Sequence, residues 1–226
     1  MKLLIDDVNL EKIRKLNALY PIDGVTCNPT ILAKNGGDPV TTLKTIRELI
    51  GPEADLHVQA VSLETPAMIE EGRKIAAAFG PHTFVKIPAI PAGFKAMEAL
   101  KNEGIGVTAT AVYTPLQAYL AAKAGADYVA PYINRIDNMG YDGLRVAKEI
   151  QDIFTKNGYD TGILAASFKN SQQVLELCAY GVKAATVAPD VIEQFVSNPA
   201  ISSAVDQFVK DFEGLSGPGK TMLDLL

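Results

Sequence analysis

The chain has 226 residues, of which 48% are hydrophobic and 21% charged, as in an ordinary globular protein rather than a disordered one. A net charge of -5 without any basic run argues against a nucleic-acid partner, and no apolar stretch reaches the ~20 residues that a membrane span needs. Two isolated cysteines and two histidines indicate neither a disulfide framework nor a metal centre. The N-terminus turns acidic at Asp6, too early for a signal peptide, which predicts a cytoplasmic protein.

A recurring pattern organises the chain, in which a helical segment ends at glycine and a short apolar strand follows. The pattern occurs at Gly80, Gly104, Gly125, Gly158 and Gly181. Glycine just beyond a helix end is the usual left-handed cap. Strands and helices that alternate at such a short period predict βα units with a parallel sheet.

In chain order, the predicted strands cover residues 2–6, 24–26, 55–61, 83–88, 106–112, 127–133, 161–168 and 183–188. The predicted helices cover 10–19, 39–50, 65–79, 93–102, 115–124, 141–156 and 171–179, and C-terminal helices follow at 190–196 and 203–212. Eight βα units in 226 residues indicate an α/β fold, a compact (β/α)8 TIM barrel. We expect one domain over residues 1–226, with a tail at 215–226 that ends apolar.

The predicted strand at 83–88 is apolar on both faces except for Lys86. Burying an unpaired ammonium is costly, so a lysine in such a place tends to lose its proton. A neutral lysine amine attacks carbonyls and forms Schiff bases. Alternatively, Lys86 extends to the rim of the barrel or pairs with a carboxylate. The strand alone does not separate these two interpretations.

Barrel enzymes carry their chemistry at the C-terminal ends of the strands. Polar side chains lie there on most of the predicted strands: Asp6, Thr26, Asn28, Gln59, Lys86, Thr108, Thr110, Tyr132, Asn134, Arg135 and Ser167. One such residue would indicate little, because barrel mouths are wet. A set around a candidate nucleophile favours a convergent active site centred on Lys86.

Four segments resemble motifs of the transaldolase family. They are DGVTCNPT at 23–30, FVKIP at 84–88, APYINRID at 130–137 and AASFK at 165–169. The resemblance extends from residue 3 to about residue 214, and it is greatest for the small bacterial subfamily that includes fructose-6-phosphate aldolase. It implies a lyase or transferase of the class I aldolase type that uses a Schiff base, with no metal and no cofactor.

The resemblance also implies roles for the site residues. Lys86 would form the Schiff base, while Asp6 and Asn28, beside Thr26, would contact the donor hydroxyls. The catalytic water would be held by Gln59, Thr110 and Tyr132, with Tyr132 as acid and base. Arg135 and Ser167 would bind the substrate phosphate, which suits a guanidinium fork and a hydroxyl donor.

Two residues favour an aldolase over a transaldolase. Aldolase members resemble this chain in having Gln at position 59 and Tyr at position 132, where transaldolases usually carry Glu and Phe. Two departures concern the surroundings of the site. Cys27 replaces a usual Ser or Thr, and Ile90 replaces a usual Thr, which leaves an apolar loop after the lysine strand. The substrates implied are ketose and aldose phosphates.

Other interpretations stay open at this stage. Structural roles are available for single residues: a loop cap for Asp6, a turn for Asn28, barrel polar groups for Gln59 and Thr110, packing for Tyr132, and an ion pair with Asp137 for Arg135. Lys169 is a second candidate nucleophile, His57 is expected to pack inside the barrel, and Cys178 is expected in the core. The barrel could also be a non-catalytic sugar-phosphate binder. The resemblance further implies a homo-oligomer, a pentamer or a decamer.

Overall fold

Eight parallel strands close into a barrel in strict chain order, β1 to β8, in the computed structural model, which describes residues Met1–Leu226. The strands are β1 Lys2–Asp6, β2 Gly24–Thr26, β3 Asp55–Gln59, β4 Thr83–Pro88, β5 Gly106–Val112, β6 Tyr128–Pro131, β7 Gly162–Ala165 and β8 Ala184–Val187. Closure through the β1–β8 pair, with Leu4 opposite Thr186, confirms the predicted (β/α)8 TIM barrel.

Helices connect the strands and complete the βα units. They are α1 Leu10–Leu19, α2 Pro29–Asn35, α3 Pro39–Ile50, α4 Thr65–Phe79, α5 Pro91–Asn102, α6 Pro115–Lys123, α7 Ile133–Asp137, α8 Gly143–Asn157, α9 Ser171–Tyr180, α10 Pro189–Glu193 and α11 Pro199–Ser216. Several begin with proline after a polar cap, as α3 does after Asp38, because the first helical position does not need an N–H donor. None of the helices is long and apolar enough to cross a membrane.

Two short helices were missed by the sequence analysis, and both follow strands that end at the mouth of the barrel. Helix α2 starts at Pro29, where the pattern indicated only a turn. Helix α7 starts at Ile133, so the strand predicted to run to 133 stops at Pro131. The strand predicted at 161–168 likewise stops at Ala165, because Ser167 has a left-handed backbone with φ 62°. Short helices at strand ends lack the periodicity that longer helices show.

Alternation along each strand divides the apolar residues between two layers. One face packs beneath the helices: Val85, Ile87 and Val107, for example, belong to one core cluster with Met97 and Leu100 of α5. These side chains have no exposed surface. Complete burial of such a side chain contributes about 1.5–3 kcal/mol, so this outer layer holds the helices on the barrel.

The other face fills the interior of the barrel, and its lower part is aromatic. The ring of His57 on β3 stacks on Phe84 of β4 at 4.7 Å and meets Tyr128 of β6 edge-on at 5.5 Å. Contact between β3 and β6, which are not neighbours in the sheet, is possible only across the interior. With Leu4 and Leu164, these rings form the lower interior cluster. The predicted packing position of His57 agrees with its complete burial.

The chain divides into two compact units, Met1–Val191 and Ile192–Leu226. The second unit contains α11 and a short turn of 3-10 helix at Met222–Asp224. Helix α11 is longer than the helix predicted at 203–212, because Asn198 caps its start with a bond to the backbone of Ala200. None of the residues of α11 is buried, and its exposed apolar side chains include Val205 and Phe208. The single-domain assignment stays a prediction.

Candidate active site

Lys86 lies near the C-terminal end of β4 with only 4% of its surface exposed. Its Nζ donates a hydrogen bond of 2.7 Å to the backbone carbonyl of Cys27, which follows β2. The side chain therefore crosses the barrel interior past β3 instead of extending to solvent. No carboxylate forms an ion pair with this amine within 4.0 Å. Both structural alternatives, a lysine at the rim and a lysine paired with a carboxylate, disagree with this geometry.

Cys27 contributes a backbone carbonyl to Lys86, so its departure from the usual Ser or Thr does not remove this contact. The thiol lies 3.5 Å from the carbonyl of His57 and is fully buried. Burial raises the pKa of the Cys27 thiol to about 11, although the nearby charge of Lys86 opposes the shift. The thiol therefore stays protonated at neutral pH and is a weak nucleophile.

Asp6, the last residue of β1, belongs to a chain of hydroxyl groups that crosses the barrel. The Thr26 hydroxyl donates to Asp6 Oδ1 at 2.9 Å and lies 2.6 Å from the hydroxyl of Thr186 on β8. Since the proton of Thr26 points to Asp6, Thr186 must donate to Thr26. Burial raises the pKa of the Asp6 carboxyl, while the charge of Lys86 and the Thr26 hydrogen bond partly offset the increase. The raised pKa makes this carboxyl group easier to protonate than an exposed aspartate.

Gln59 lies beside Lys86 at the end of β3, because the two residues are partners in the β3–β4 register. Its Oε1 atom is buried and has no hydrogen-bond partner in the protein. Buried polar atoms nearly always have a partner, and those that lack one are common at sites that bind a ligand or water. The amide is therefore available to an incoming group next to the lysine.

Thr110 and Tyr132 form the second polar pair of the site. The Thr110 hydroxyl on β5 lies 2.6 Å from the phenol oxygen of Tyr132, and Thr110 is fully buried. A bulge brings them together: the β5–β6 register shifts between Ala109 and Val112, and Ala111 has a left-handed backbone with φ 56°. A non-glycine residue in this conformation is strained, so the surrounding structure must hold the bulge in place.

Arg135 and Ser167 lie on adjacent segments at the mouth. Arg135, on α7, places its guanidinium carbon 4.5 Å from the ring centre of Tyr132. The backbone N–H of Asn134 donates to the Ser167 carbonyl at 2.8 Å, which joins α7 to the loop after β7. Asp137 does not pair with Arg135, since its carboxylate accepts hydrogen bonds from Gly143 and Gln173.

Asn28 caps helix α2 at the mouth, beside Thr26 and Cys27. Its Oδ1 accepts from the backbone N–H of Ile31 at 3.0 Å, which agrees in part with the structural role considered above. The cap occupies the oxygen and leaves the amide N–H groups of Asn28 free to donate to a ligand hydroxyl. No three His, Cys, Asp or Glu side chains come close enough together to hold a metal ion.

The structure thus connects most of the predicted site residues through contacts. One branch joins Asp6 to Thr26, the second joins Lys86 to the Cys27 carbonyl, and the third joins Thr110 to Tyr132 and Arg135. The pKa of Asp6 responds to Lys86 and, more weakly, to Arg135, so these charges lie within electrostatic range of one another.

Three residues that the sequence analysis missed also support the site. Thr186 extends the hydroxyl chain to Asp6. Gln117 bridges the loops after β4 and β5 with bonds to the Ala89 and Ala111 carbonyls. Gln173 bridges to Asp137. Both glutamines are the third residues of their helices and follow capping residues, Thr114 and Asn170, a pattern that could have been recognised in the sequence.

The core position predicted for Cys178 is wrong, and the surroundings of Ile90 and Lys169 are as follows. Cys178, expected in the core, is exposed, because it lies on the outward side of α9 beyond the buried Leu177. Ile90 occupies the cap position of α5, and no side chain caps that helix, as an isoleucine has no hydrogen-bonding group. Lys169, the second candidate nucleophile, is exposed beyond the end of β7.

A closed (β/α)8 barrel whose strand ends carry polar side chains has the architecture of a barrel enzyme. A model of the family "Transaldolase/Fructose-6-phosphate aldolase" matches residues 3–218. A probable fructose-6-phosphate aldolase from Streptococcus pneumoniae is 40% identical over 213 residues, which cover 94% of this chain and 96% of the relative. The chain therefore belongs to the transaldolase/fructose-6-phosphate aldolase family, as the motifs predicted, and is an enzyme of this kind.

Proposed function

We propose that the enzyme is a class I aldolase that cleaves fructose 6-phosphate to dihydroxyacetone and glyceraldehyde 3-phosphate and catalyses the reverse addition. One observation carries the proposal: Lys86 is buried, and its amine bonds to a carbonyl oxygen instead of a carboxylate. A carbonyl acceptor holds an ammonium proton less tightly than a carboxylate does, so Lys86 can release a proton and free the lone pair that attacks a carbonyl carbon.

The reaction begins when Lys86 releases a proton to a base and its amine adds to C2 of the open-chain ketose. Loss of water then gives an iminium ion, which attracts electrons from the neighbouring bonds. A base takes the proton of the C4 hydroxyl, the C3–C4 bond breaks, and its electron pair forms an enamine on Lys86. The former C4 hydroxyl becomes the aldehyde of glyceraldehyde 3-phosphate. In this scheme Asp6 and Asn28 contact the donor hydroxyls and assist the proton transfers.

The second half of the reaction regenerates the lysine. A proton is added to C3 of the enamine, and water attacks the resulting iminium carbon to release dihydroxyacetone. We assign this water to Gln59, Thr110 and Tyr132, with Tyr132 as acid and base. The unpaired Oε1 of Gln59 and the free lone pairs of the Thr110–Tyr132 pair support the assignment. Arg135 and Ser167 hold the phosphate, as charge-assisted bonds to phosphate oxygens are strong and directional.

A transaldolase is the second candidate, because the family includes both activities. A transaldolase retains the enamine until a second aldose phosphate arrives, whereas an aldolase protonates and hydrolyses it. The presence of Gln59 and Tyr132, which suit delivery of a proton and a water molecule, favours the aldolase. The name of the Streptococcus pneumoniae relative supports the same choice.

One assay separates the two candidates. The enzyme is mixed with fructose 6-phosphate alone, and release of glyceraldehyde 3-phosphate is followed through a coupled dehydrogenase. Steady turnover without an acceptor supports the aldolase. Turnover that starts only after addition of erythrose 4-phosphate would identify a transaldolase and would contradict the roles assigned to Gln59 and Tyr132.

Borohydride trapping tests the Schiff base itself against a non-catalytic sugar-phosphate binder. Borohydride reduces an imine to a stable amine, so an active enzyme should gain the mass of the reduced sugar on the peptide that contains Lys86. A binder that retained Arg135 and Ser167 would bind the ketose without any covalent adduct. The cytoplasmic location remains a prediction.

We also propose that the enzyme is a homo-oligomer, a pentamer or a decamer. Exposed apolar residues on α11 and in the tail support the proposal, among them Val205, Phe208, Leu223 and Leu226. Exposed apolar surface of this extent is usually covered by a protein partner. Light scattering coupled to size-exclusion chromatography would measure the mass, and a monomer would contradict the proposal.

A further inference from the structure

Gln173 is a residue at the mouth of the barrel to which the proposed reaction assigns no role. It is the third residue of α9, and its side chain is held at both ends. Its Oε1 accepts from the backbone N–H of Lys169 at 2.8 Å, and its Nε2 donates to Asp137 Oδ2 at 2.8 Å. Because a backbone N–H can only donate, the oxygen of the amide must face Lys169 and the nitrogen must face Asp137.

Asp137, the acceptor of this bond, is the last residue of α7, the helix that carries Arg135. Its second oxygen accepts from the backbone N–H of Gly143, the first residue of α8, at 2.8 Å. The carboxylate thus stabilises the N-terminus of α8, where the helix dipole favours negative charge. Asp137 is therefore fixed on one side by α8 and on the other by Gln173.

Gln173 connects the two segments that carry the proposed phosphate ligands. Lys169 belongs to the loop of Ser167, two residues away, and Asp137 lies two residues beyond Arg135. Backbone bonds already join these segments at Ile133–Ala166 and Asn134–Ser167. The side-chain bridge adds a third connection farther from the strands, where the two segments would otherwise separate.

Ser167 needs such support because its backbone is left-handed, with φ 62°. A non-glycine residue in this conformation is strained, and it keeps the conformation only where its surroundings hold it. The bond from Gln173 to Lys169 restrains the loop directly after Ser167. We propose that Gln173 is a positioning residue that sets the separation of Ser167 and Arg135, and with it the affinity for the phosphate group of the substrate.

The proposal rests on the proposed function, and the test compares two acceptor aldehydes. Dihydroxyacetone is added either to glyceraldehyde 3-phosphate or to glyceraldehyde, and the ratio of the two kcat/KM values measures the contribution of the phosphate. Gln173→Leu should lower this ratio about tenfold through KM for the phosphorylated aldehyde, because misplaced ligands bind phosphate less well. Turnover of glyceraldehyde should remain close to that of the wild type.

Gln172→Leu is the matched control. Gln172 is the preceding residue on α9, is exposed and takes the same substitution, so it should leave the ratio unchanged. An unchanged ratio in Gln173→Leu, or an equal loss in Gln172→Leu, would overturn the proposal.

Exchanging the donor and the acceptor of the Gln173–Asp137 bond distinguishes a positioning role from effects of charge or of local unfolding. Gln173→Glu places a carboxylate against Asp137, and Asp137→Asn places one amide against another, so each single change should lower the ratio. The double variant restores the bond, with the donor at position 137 and the acceptor at position 173. One side-chain oxygen at each position still accepts from the backbone N–H of Gly143 or Lys169. The double variant should return the ratio to within about twofold of the wild type.

Asp137→Asn is informative on its own, because removal of a carboxylate near a phosphate site would by itself strengthen phosphate binding. A lower ratio in this variant therefore cannot result from the change in charge, and recovery in the double variant would trace it to the bond with Gln173. If the double variant stays as weak as either single variant, Gln173 does not act through Asp137 and the proposal fails.

Failure of the proposed function has a different signature. In that case the wild type turns over neither aldehyde. Phosphorus NMR titrations of the same variants then give the dissociation constant for inorganic phosphate, which measures phosphate affinity directly. Weaker phosphate binding in Gln173→Leu with recovery in the double variant would support the positioning role. Equal binding by all variants would overturn it.

Discussion

Two parts of the same barrel interior, separated by one inward-facing position along the strands, differ in what their polar groups do. In the lower interior cluster, His57 stacks on Phe84 and is bonded only through Nδ1, to the Thr108 hydroxyl at 2.8 Å. Its Nε2 has no hydrogen-bond partner. One position further along β4, Lys86 reaches across the interior to the Cys27 carbonyl.

The environment of each group accounts for the difference. Complete burial, together with the charges of Lys86 and Lys2, holds the pKa of His57 well below its ordinary value, so the ring stays neutral. A neutral, stacked ring contributes to packing. Near the mouth, Asp6 is bonded to Thr26, Lys86 to the carbonyl of Cys27 and Tyr132 to Thr110, so each polar group lies at a strand end. Distance from the strand ends therefore distinguishes a buried polar group that packs, such as His57, from one to which we assign a reaction, such as Lys86.

The largest effect on activity is expected from Lys86→Met, which keeps the length of the side chain and removes the amine. We expect kcat/KM for fructose 6-phosphate to fall at least about 10³-fold, because no Schiff base can form. Borohydride should no longer attach the sugar to the protein. Lys169→Met is the control, since Lys169 is exposed, and it should stay active. Loss of activity in the control alone would make Lys169 the nucleophile.

Removal of the phenol oxygen in Tyr132→Phe should have the next largest effect. The ring keeps its contacts with Arg135 and Tyr113, and only the bond to Thr110 and the proposed proton donor are lost. We expect kcat to fall about 10²-fold, as for the loss of a general acid. Tyr113→Phe, a control that removes the hydroxyl of the neighbouring ring, should have little effect. Equal losses in both variants would argue against a specific role for the Tyr132 oxygen.

Thr186→Val should have a smaller effect that tests the hydroxyl chain below Asp6. The substitution keeps the shape of the side chain and leaves Thr26 without its donor. We expect kcat/KM to fall about fivefold and the free energy of unfolding to fall by about 1 kcal/mol, the usual net contribution of one neutral hydrogen bond. Thr186→Ser keeps the hydroxyl and should keep kcat/KM. A Ser variant as impaired as the Val variant would indicate packing instead.

The smallest effect on activity is expected from His57→Phe, which keeps a stacked ring in the lower interior cluster. We expect kcat/KM to stay within about threefold of the wild type, because His57 contacts none of the reacting groups. A tenfold loss would contradict the distinction drawn between the two parts of the interior.

The same variant should change how stability depends on pH. Because the pKa of folded His57 is depressed, the unfolded chain binds an extra proton below its ordinary value of ~6.5. The free energy of unfolding should therefore decrease as pH falls from 6.5 towards 5, by up to about 1.4 kcal/mol per pH unit. Denaturant titrations should find that this decrease is absent in His57→Phe. It should persist in His82→Asn, which changes the exposed histidine.

Much of the fold could be predicted because strand and helix periods are local. The predicted bounds of β1, β2, β4, β5, α1, α3 and α4 agree with the structure. Errors gather at the mouth, at α2 and α7 and at the ends of β6 and β7. There, a left-handed Ser167 and short capped helices depend on contacts with other segments.

The barrel, the family and the candidate nucleophile could be recognised from the sequence, because alternation and motifs are properties of consecutive residues. How the site residues meet depends on the folded chain. The Lys86–Cys27 bond spans 59 residues of sequence, and the Thr26–Thr186 contact spans 160. The Gln173–Asp137 bond likewise depends on the fold, since the two residues lie 36 positions apart. Barrel closure brings such residues together, and no local pattern records which hydrogen-bond partner a polar side chain will find across the interior.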